Sequence, residues 1–211
     1  MKTGIIIALI IIAVLILISS IRKSNSTNTE IKSNLDNEKN EVPNSIFFHE
    51  DAYKQVELIP EENFDELIKQ ARNVQDFVKQ HFDQGGYTDI MIRKENGFKL
   101  IQRRIKLEEL DSILSDLPIK KYTEVSTGIK PEEMKSPNTF GYGENYNGIF
   151  FDFESDFVKG IWIAGTPEVH NEKLVQALNT IGTKWNLLLM DWNSLELIDL
   201  KNKEQIEKYL D

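Results

Sequence analysis

Residues 4–21 read GIIIALIIIAVLILISSI, a run without a charged side chain. As a helix this run spans about 27 Å, close to the roughly 30 Å hydrocarbon thickness of a bilayer. It is apolar on every face, whereas a helix at the surface of a globular core keeps a polar side. The run therefore predicts an N-terminal transmembrane helix within residues 1–21, with whatever follows tethered to a membrane. A cleaved secretory signal is the competing reading, because Lys2 supplies a short basic n-region. Cleavage sites favour small residues, however, and a cut after Ser20 would place Ile18 at the −3 position. Lys2 lies before the run and Arg22 and Lys23 directly after it, so positive charge pulls the topology both ways. The very short N-terminal tail favours export of the following domain.

Residues 22–45 (RKSNSTNTEIKSNLDNEKNEVPNS) are dominated by Asn, Ser, Lys and Glu. Isolated Ile31, Leu35 and Val42 bury too little surface to offset the entropy of ordering, so the segment reads as a disordered polar linker. A single soluble domain is expected over 46–211.

Within that domain the apolar spacing predicts a strand ending at Pro60. A long helix then runs through Phe64, Leu67, Ile68, Ala71, Val74, Phe77, Val78 and Phe82 to Gly85-Gly86. Residues 87–93 and 98–105 alternate around Glu95-Asn96-Gly97 and predict a hairpin. A short helix over 106–117, a strand over 120–127 and a loop over 130–138 follow. Three strands are expected at 139–143, 148–153 and 157–164, with Gly141, Gly143 and Gly148 reading as hairpin turn rather than phosphate loop. A helix over 167–184 leads to NLLLMDW at 186–192, a run suited to a strand buried on both faces. A turn at Asn193-Ser194, a strand over 195–200 and a terminal helix over 204–210 complete the chain. The order predicts an α+β fold, a mainly antiparallel sheet with helices packed on one face, preceded by the transmembrane helix.

The chain carries a formal net charge of -9. Nucleic-acid affinity rests on Lys and Arg neutralising phosphates, so an acidic body argues against a nucleic-acid partner and suits a basic protein. No cysteine is present, which excludes disulfides, thiolate metal sites and cysteine nucleophiles. No P-loop, nucleophile elbow, zincin or dinucleotide motif occurs, and no cofactor or metal is called for. His49, His81 and His170 fall in separate elements without ligand spacing. Two clusters remain as candidate partner-binding residues. His49, Glu50 and Asp51 concentrate ligand-type side chains at a strand end. Asp152 and Glu154 share one face of a strand, with Asp156 just beyond and phenylalanines on the opposite face. Clustered carboxylates of this kind also occur in Ca²⁺ and glycosidase sites. A solvated sheet face that meets a basic protein is the simpler reading.

The stretch from His49 to Pro60 (HEDAYKQVELIP) and the closing stretch (LMDWNS at 189–194, then LIDL and IEKYL) resemble the two ends of small α+β immunity-type proteins found beside bacterial polymorphic toxins. The resemblance implies a protein that binds and neutralises a cognate toxin, and it transfers no active-site residue. Three readings follow. One is a membrane-tethered, non-enzymatic protein-binding domain in a bacterial inner membrane, immunity-like, with the domain outside the cytoplasm. The second is a scaffold or sensory module of the cell envelope that binds another membrane protein. The third is a hydrolase using His49, Asp51 or the 152–156 carboxylates, which requires those groups to converge in one pocket.

Overall fold

The computed structural model describes residues 45–211, apart from 84–85, 132, 145 and 168–170. The expected transmembrane helix, the linker up to residue 44 and His170 lie outside the described residues. Among the described residues no helix is long and apolar enough to cross a membrane.

In chain order the elements are β1 (Ser45–His49), β2 (Val56–Pro60), α1 (Phe64–His81), β3 (Phe82–Asp83), β4 (Gly86–Tyr87), α2 (Leu107–Leu114), β5 (Lys120–Tyr122) and β6 (Glu124–Gly128). After these come β7 (Met134–Lys135), β8 (Thr139–Glu144), β9 (Asn147–Glu154), β10 (Phe157–Ala164), α3 (Asn171–Trp185), β11 (Leu187–Asp191), β12 (Glu196–Asp199) and α4 (Lys203–Leu210). A seven-stranded sheet has the order β12-β11-β2-β10-β9-β8-β5. Every pairing in it is antiparallel. A second sheet, β1-β6-β7, contains the parallel pair β1–β6. The α+β class and the antiparallel sheet thus match the pattern of the sequence.

The expectation that all helices lie on one face is corrected by α1. Alternation along β11 sends Leu187 and Leu189 into the core formed with Leu110 and Leu114 of α2, Leu178 and Ile181 of α3, and Ile206 of α4. Leu188 and Met190 point the other way and pack with Ile59 and with Leu67 of α1. Farther along the same face, Phe150 and Trp162 meet Ile46 and Phe48 of β1 and Val125 of β6. Both faces of the large sheet are apolar, so both need a cover. Three helices cover one face, and α1 and the small sheet cover the other. Gly141 permits the close approach of β1, since a Cβ there would lie 2.7 Å from Ile46 Cγ2. Gly143 pairs with Gly148 at the end of the β8–β9 hairpin, as the turn reading predicts.

The hairpin expected around residues 95–97 does not form. The β3–β4 pairing sits earlier, and residues 88–99 cross the domain as an irregular strap before a 3-10 turn at Leu100–Arg103. Where the strap returns to the body, the Phe98 backbone groups that a ladder would satisfy find a side-chain partner instead. Phe98 N–H donates to Asn63 Oδ1 at 3.0 Å, and Asn63 Nδ2 donates to the Phe98 carbonyl at 2.8 Å. Arg93 Nη2 donates to the Lys54 carbonyl at 3.2 Å. Buried Asn63, directly before α1, therefore fixes where the strap returns to the body.

Candidate binding cleft

Strand alternation places the central polar residues. Val56 and Leu58 of β2 face the core under the three helices, so Glu57 falls on the opposite face with Ile59. Asp152 of β9 lies on that same face, two residues beyond Phe150, and is paired in register with Gly160 of β10. Glu57 is in register with Trp162 of β10 and Met190 of β11. Polar groups thus interrupt an otherwise apolar, covered face.

Two segments close over them. The 3-10 turn Glu50–Ala52 after β1 delivers Tyr53 and Lys54, with Lys54 held at a φ of 53°. This left-handed backbone is uncommon for a side-chain-bearing residue and sets the direction of the lysine. The strap delivers Arg93 from the other side. Between them opens a cleft of about 810 Å³ lined by Tyr53, Lys54, Glu57, Arg93, Gly160 and Trp192, among others. Its volume falls in the range of small-ligand sites, roughly 300–1,000 Å³.

The electrostatics follow from burial. Glu57 accepts a hydrogen bond from Trp192 Nε1 at 3.0 Å. Burial pushes its carboxyl above the ordinary value, against the opposing effects of the indole N–H, Lys54 and Arg93. Burial works to lower the Lys54 ammonium, but Asp152, Tyr53 and Glu57 outweigh it and hold it above its ordinary value. Burial likewise raises the Tyr53 phenol. The Arg93 guanidinium lies 4.4 Å from the centroid of the Trp192 ring, and burial lowers its pKa with Glu57 opposing. Neither Lys54 nor Arg93 forms an ion pair with a described carboxylate. Arg93 Nη1, Asp152 Oδ1 and Trp162 Nε1 are buried without a hydrogen-bond partner among the described residues. These are three unsatisfied polar atoms on or beside one cleft, where such groups are ordinarily paired.

The residues singled out from the sequence divide. Asp152 is half-buried within the cluster, which departs from the solvated face that was expected, whereas Glu154 lines the cleft and stays exposed. The cause is the apolar alternation before it: Phe150 brings the small sheet down on the same side. Asp156 sits exposed in the β9–β10 turn, where its carbonyl accepts from Leu107 N–H at 3.0 Å. His49, Glu50 and Asp51 do not line the cleft. His49 Nδ1 accepts from Asp51 N–H at 3.2 Å and caps the turn, which orients Tyr53 and Lys54. The His49 cluster and the 152–156 carboxylates therefore do not converge in one pocket. Among the described residues no group of three His, Asp or Glu is placed to hold a metal ion.

Sequence reasoning missed Tyr53, Lys54, Glu57 and Arg93. Glu57 carried the one available signal, a carboxylate between Val56 and Leu58 in a strand whose far face is also buried. Arg93 was absorbed into the alternation of a hairpin that does not form. Asp191 and Trp192 behave as their positions predict. Asp191 Oδ1 accepts from Asn193 N–H at 2.8 Å to make the turn, and Trp192 is buried. No family model, curated protein or solved structure matches the chain.

Proposed function

We propose that this domain is a non-enzymatic protein-binding module, tethered to a membrane by residues 4–21 and acting as an immunity-type protein that neutralises a toxin by covering it. The observation that carries the reading is a succession of half-buried and exposed apolar residues along α1, the β3–β4 hairpin and the strap that no described residue fully covers. Leu67 is the buried apolar residue of α1, whereas Val74, Phe77 and Val78, about two to three turns farther on, are only half-buried. The surface continues through Phe82 (59 % exposed) and Tyr87 (63 %) on the β3–β4 hairpin to Ile90 and Ile92 (both 86 %) on the strap. Scattered exposed apolar residues are ordinary, but a run along one helix end, hairpin and strap marks an interaction surface. The resemblance of the chain's two domain ends to immunity-type proteins supplies the nature of the partner.

The test is recovery of a partner by full-length protein solubilised from membranes of its host, compared with the Phe82→Ser, Ile90→Ser, Ile92→Ser triple variant. A partner held by the wild type and lost by the triple variant, with the melting temperature unchanged, supports the reading. Equal recovery by both proteins removes this surface as the interface.

A further inference from the structure

The cleft has a charge character opposite to that of the chain. Five basic side chains (Lys54, Arg93, Lys94, Lys99 and Lys159) and three acidic ones line it, in a protein of net charge -9. One of these acids, Glu95, is already engaged by Lys99 at 2.8 Å. Another, Glu57, accepts the hydrogen bond from Trp192 Nε1, and the third, Glu154, is exposed to solvent. Lys54 and Arg93 form no ion pair with a described carboxylate, although Asp152 and Glu57 stand near enough to support the Lys54 charge, and Arg93 Nη2 donates to the backbone carbonyl of Lys54. Arg93 lies over the Trp192 ring, while its Nη1 is left unsatisfied. A partly buried cation gains from a counter-charge, so a cleft that presents the unpaired Arg93 Nη1 beside Lys54, both residues half-buried, is complementary to an anion.

We propose that the cleft binds a carboxylate, held by Lys54 and by the Arg93 guanidinium that stacks on Trp192. A planar monoanion fits better than a phosphate for two reasons. Guanidinium and carboxylate match as planar groups. In addition, Asp152 and Glu57 stand close to the cations and would repel the second charge of a dianion. The carboxylate can be carried by a chain end, an acidic side chain or a free small acid, and the probes below separate these sources. Ile92 belongs to both surfaces, but the probes contain no partner protein, so their binding tests the cleft separately from the protein-partner reading.

The experiment is a calorimetric titration of the full-length chain in detergent micelles with N-acetylglycine, with the N-methylamide of N-acetylglutamate, and with inorganic phosphate. The expected result is saturable binding of a carboxylate probe with Kd on the order of 1–10 mM, the scale of a single charged anchor. Preference for N-acetylglycine assigns a chain end or free acid, and preference for the glutamyl probe assigns an acidic side chain. Arg93→Gln and Lys54→Met should each weaken binding about tenfold, equivalent to about 1.4 kcal/mol. Arg93→Lys should restore part of the loss, and Lys106→Gln, at a residue outside the cleft, should change nothing. Each variant is compared at an unchanged melting temperature, and the two cleft substitutions check one another if either disturbs folding. Absence of saturable binding, binding unaltered by both substitutions, or phosphate bound as tightly as the carboxylates would overturn the proposal.

Discussion

Gly160→Ala tests the floor of the cleft directly. Gly160 is buried in β10 and does not occupy the left-handed backbone region, so alanine meets no conformational barrier there. Its Cβ would, however, lie 2.5 Å from Asp152 Oδ1 and 3.1 Å from both Cε and Nζ of Lys54. Ordinary contact begins near 3.4 Å, so Asp152 must withdraw by about 0.9 Å and Lys54 by about 0.3 Å. Crowding a packed site by one methyl costs about 1–3 kcal/mol, and replacing glycine returns about 0.4–1 kcal/mol through the unfolded chain. The net expectation is a loss of about 1–2 kcal/mol, read as a lowered urea midpoint for the full-length chain with unchanged slope. The same variant should bind N-acetylglycine more weakly, because the displaced groups include Lys54. Gly182→Ala supplies the contrast. Its Cβ would lie 2.2 Å from Leu200 Cβ and 2.8 and 2.9 Å from the carbonyl carbon and oxygen of Leu200. Backbone atoms cannot rotate aside, so this variant should lose more than about 3 kcal/mol despite a gain of about 1 kcal/mol in helix propensity. If Gly160→Ala were as stable as the wild type and bound the probe equally well, Lys54 and Asp152 would not meet over Gly160, and this account of the floor would be wrong.

Leu67→Ala should cost about 2–5 kcal/mol in urea unfolding, since Leu67 is fully buried against Ile59, Leu188 and Met190, whereas Val78→Ala on the uncovered half of α1 should cost less than about 1 kcal/mol. Equal losses would show that the far half of α1 is packed like the near half. The raised Glu57 carboxyl contributes stability that is present below the ordinary value of 4.5 and lost as pH rises through its higher folded value, so Glu57→Gln should gain on the wild type in melting temperature as pH increases from 4.5 towards neutrality. A difference between the two proteins that does not vary with pH would contradict the burial of that carboxyl. Tyr209→Phe removes the hydroxyl that donates to Asp191 Oδ2 at 2.9 Å and should cost about 1.5–3 kcal/mol, measured by the same unfolding assay. No loss would mean that Asp191 is held well enough by Asn193 and Ser194.

The sequence made the elements of this domain legible wherever one rule decided the outcome. NLLLMDW at 186–192 has no polar alternation, so a strand covered on both faces was the economical solution, and β11 is that strand. The same observation already implies a cover on the second face, and the one-face helix arrangement fails for want of that step. The predicted hairpin failed for a different reason. Alternation over 87–105 was real, but pairing depends on whether another group satisfies the backbone first, and Asn63, 35 residues before Phe98, does so. Long-range capture of this kind leaves no local periodicity to read. The cleft combines both difficulties. Its lysine comes from a turn organised by His49 and Asp51, its arginine from the captured strap, its carboxylates from two non-consecutive strands, and its tryptophan from the end of a third. Each has an unremarkable local role, and the candidates with dense local chemistry, His49 to Asp51, serve to aim a residue that looked ordinary. Chemistry concentrated in sequence can therefore be scaffolding for chemistry assembled in space. In this domain the better pointer to a site is the charged residue on a strand face where both neighbours in register, here Trp162 and Met190 beside Glu57, are buried and apolar.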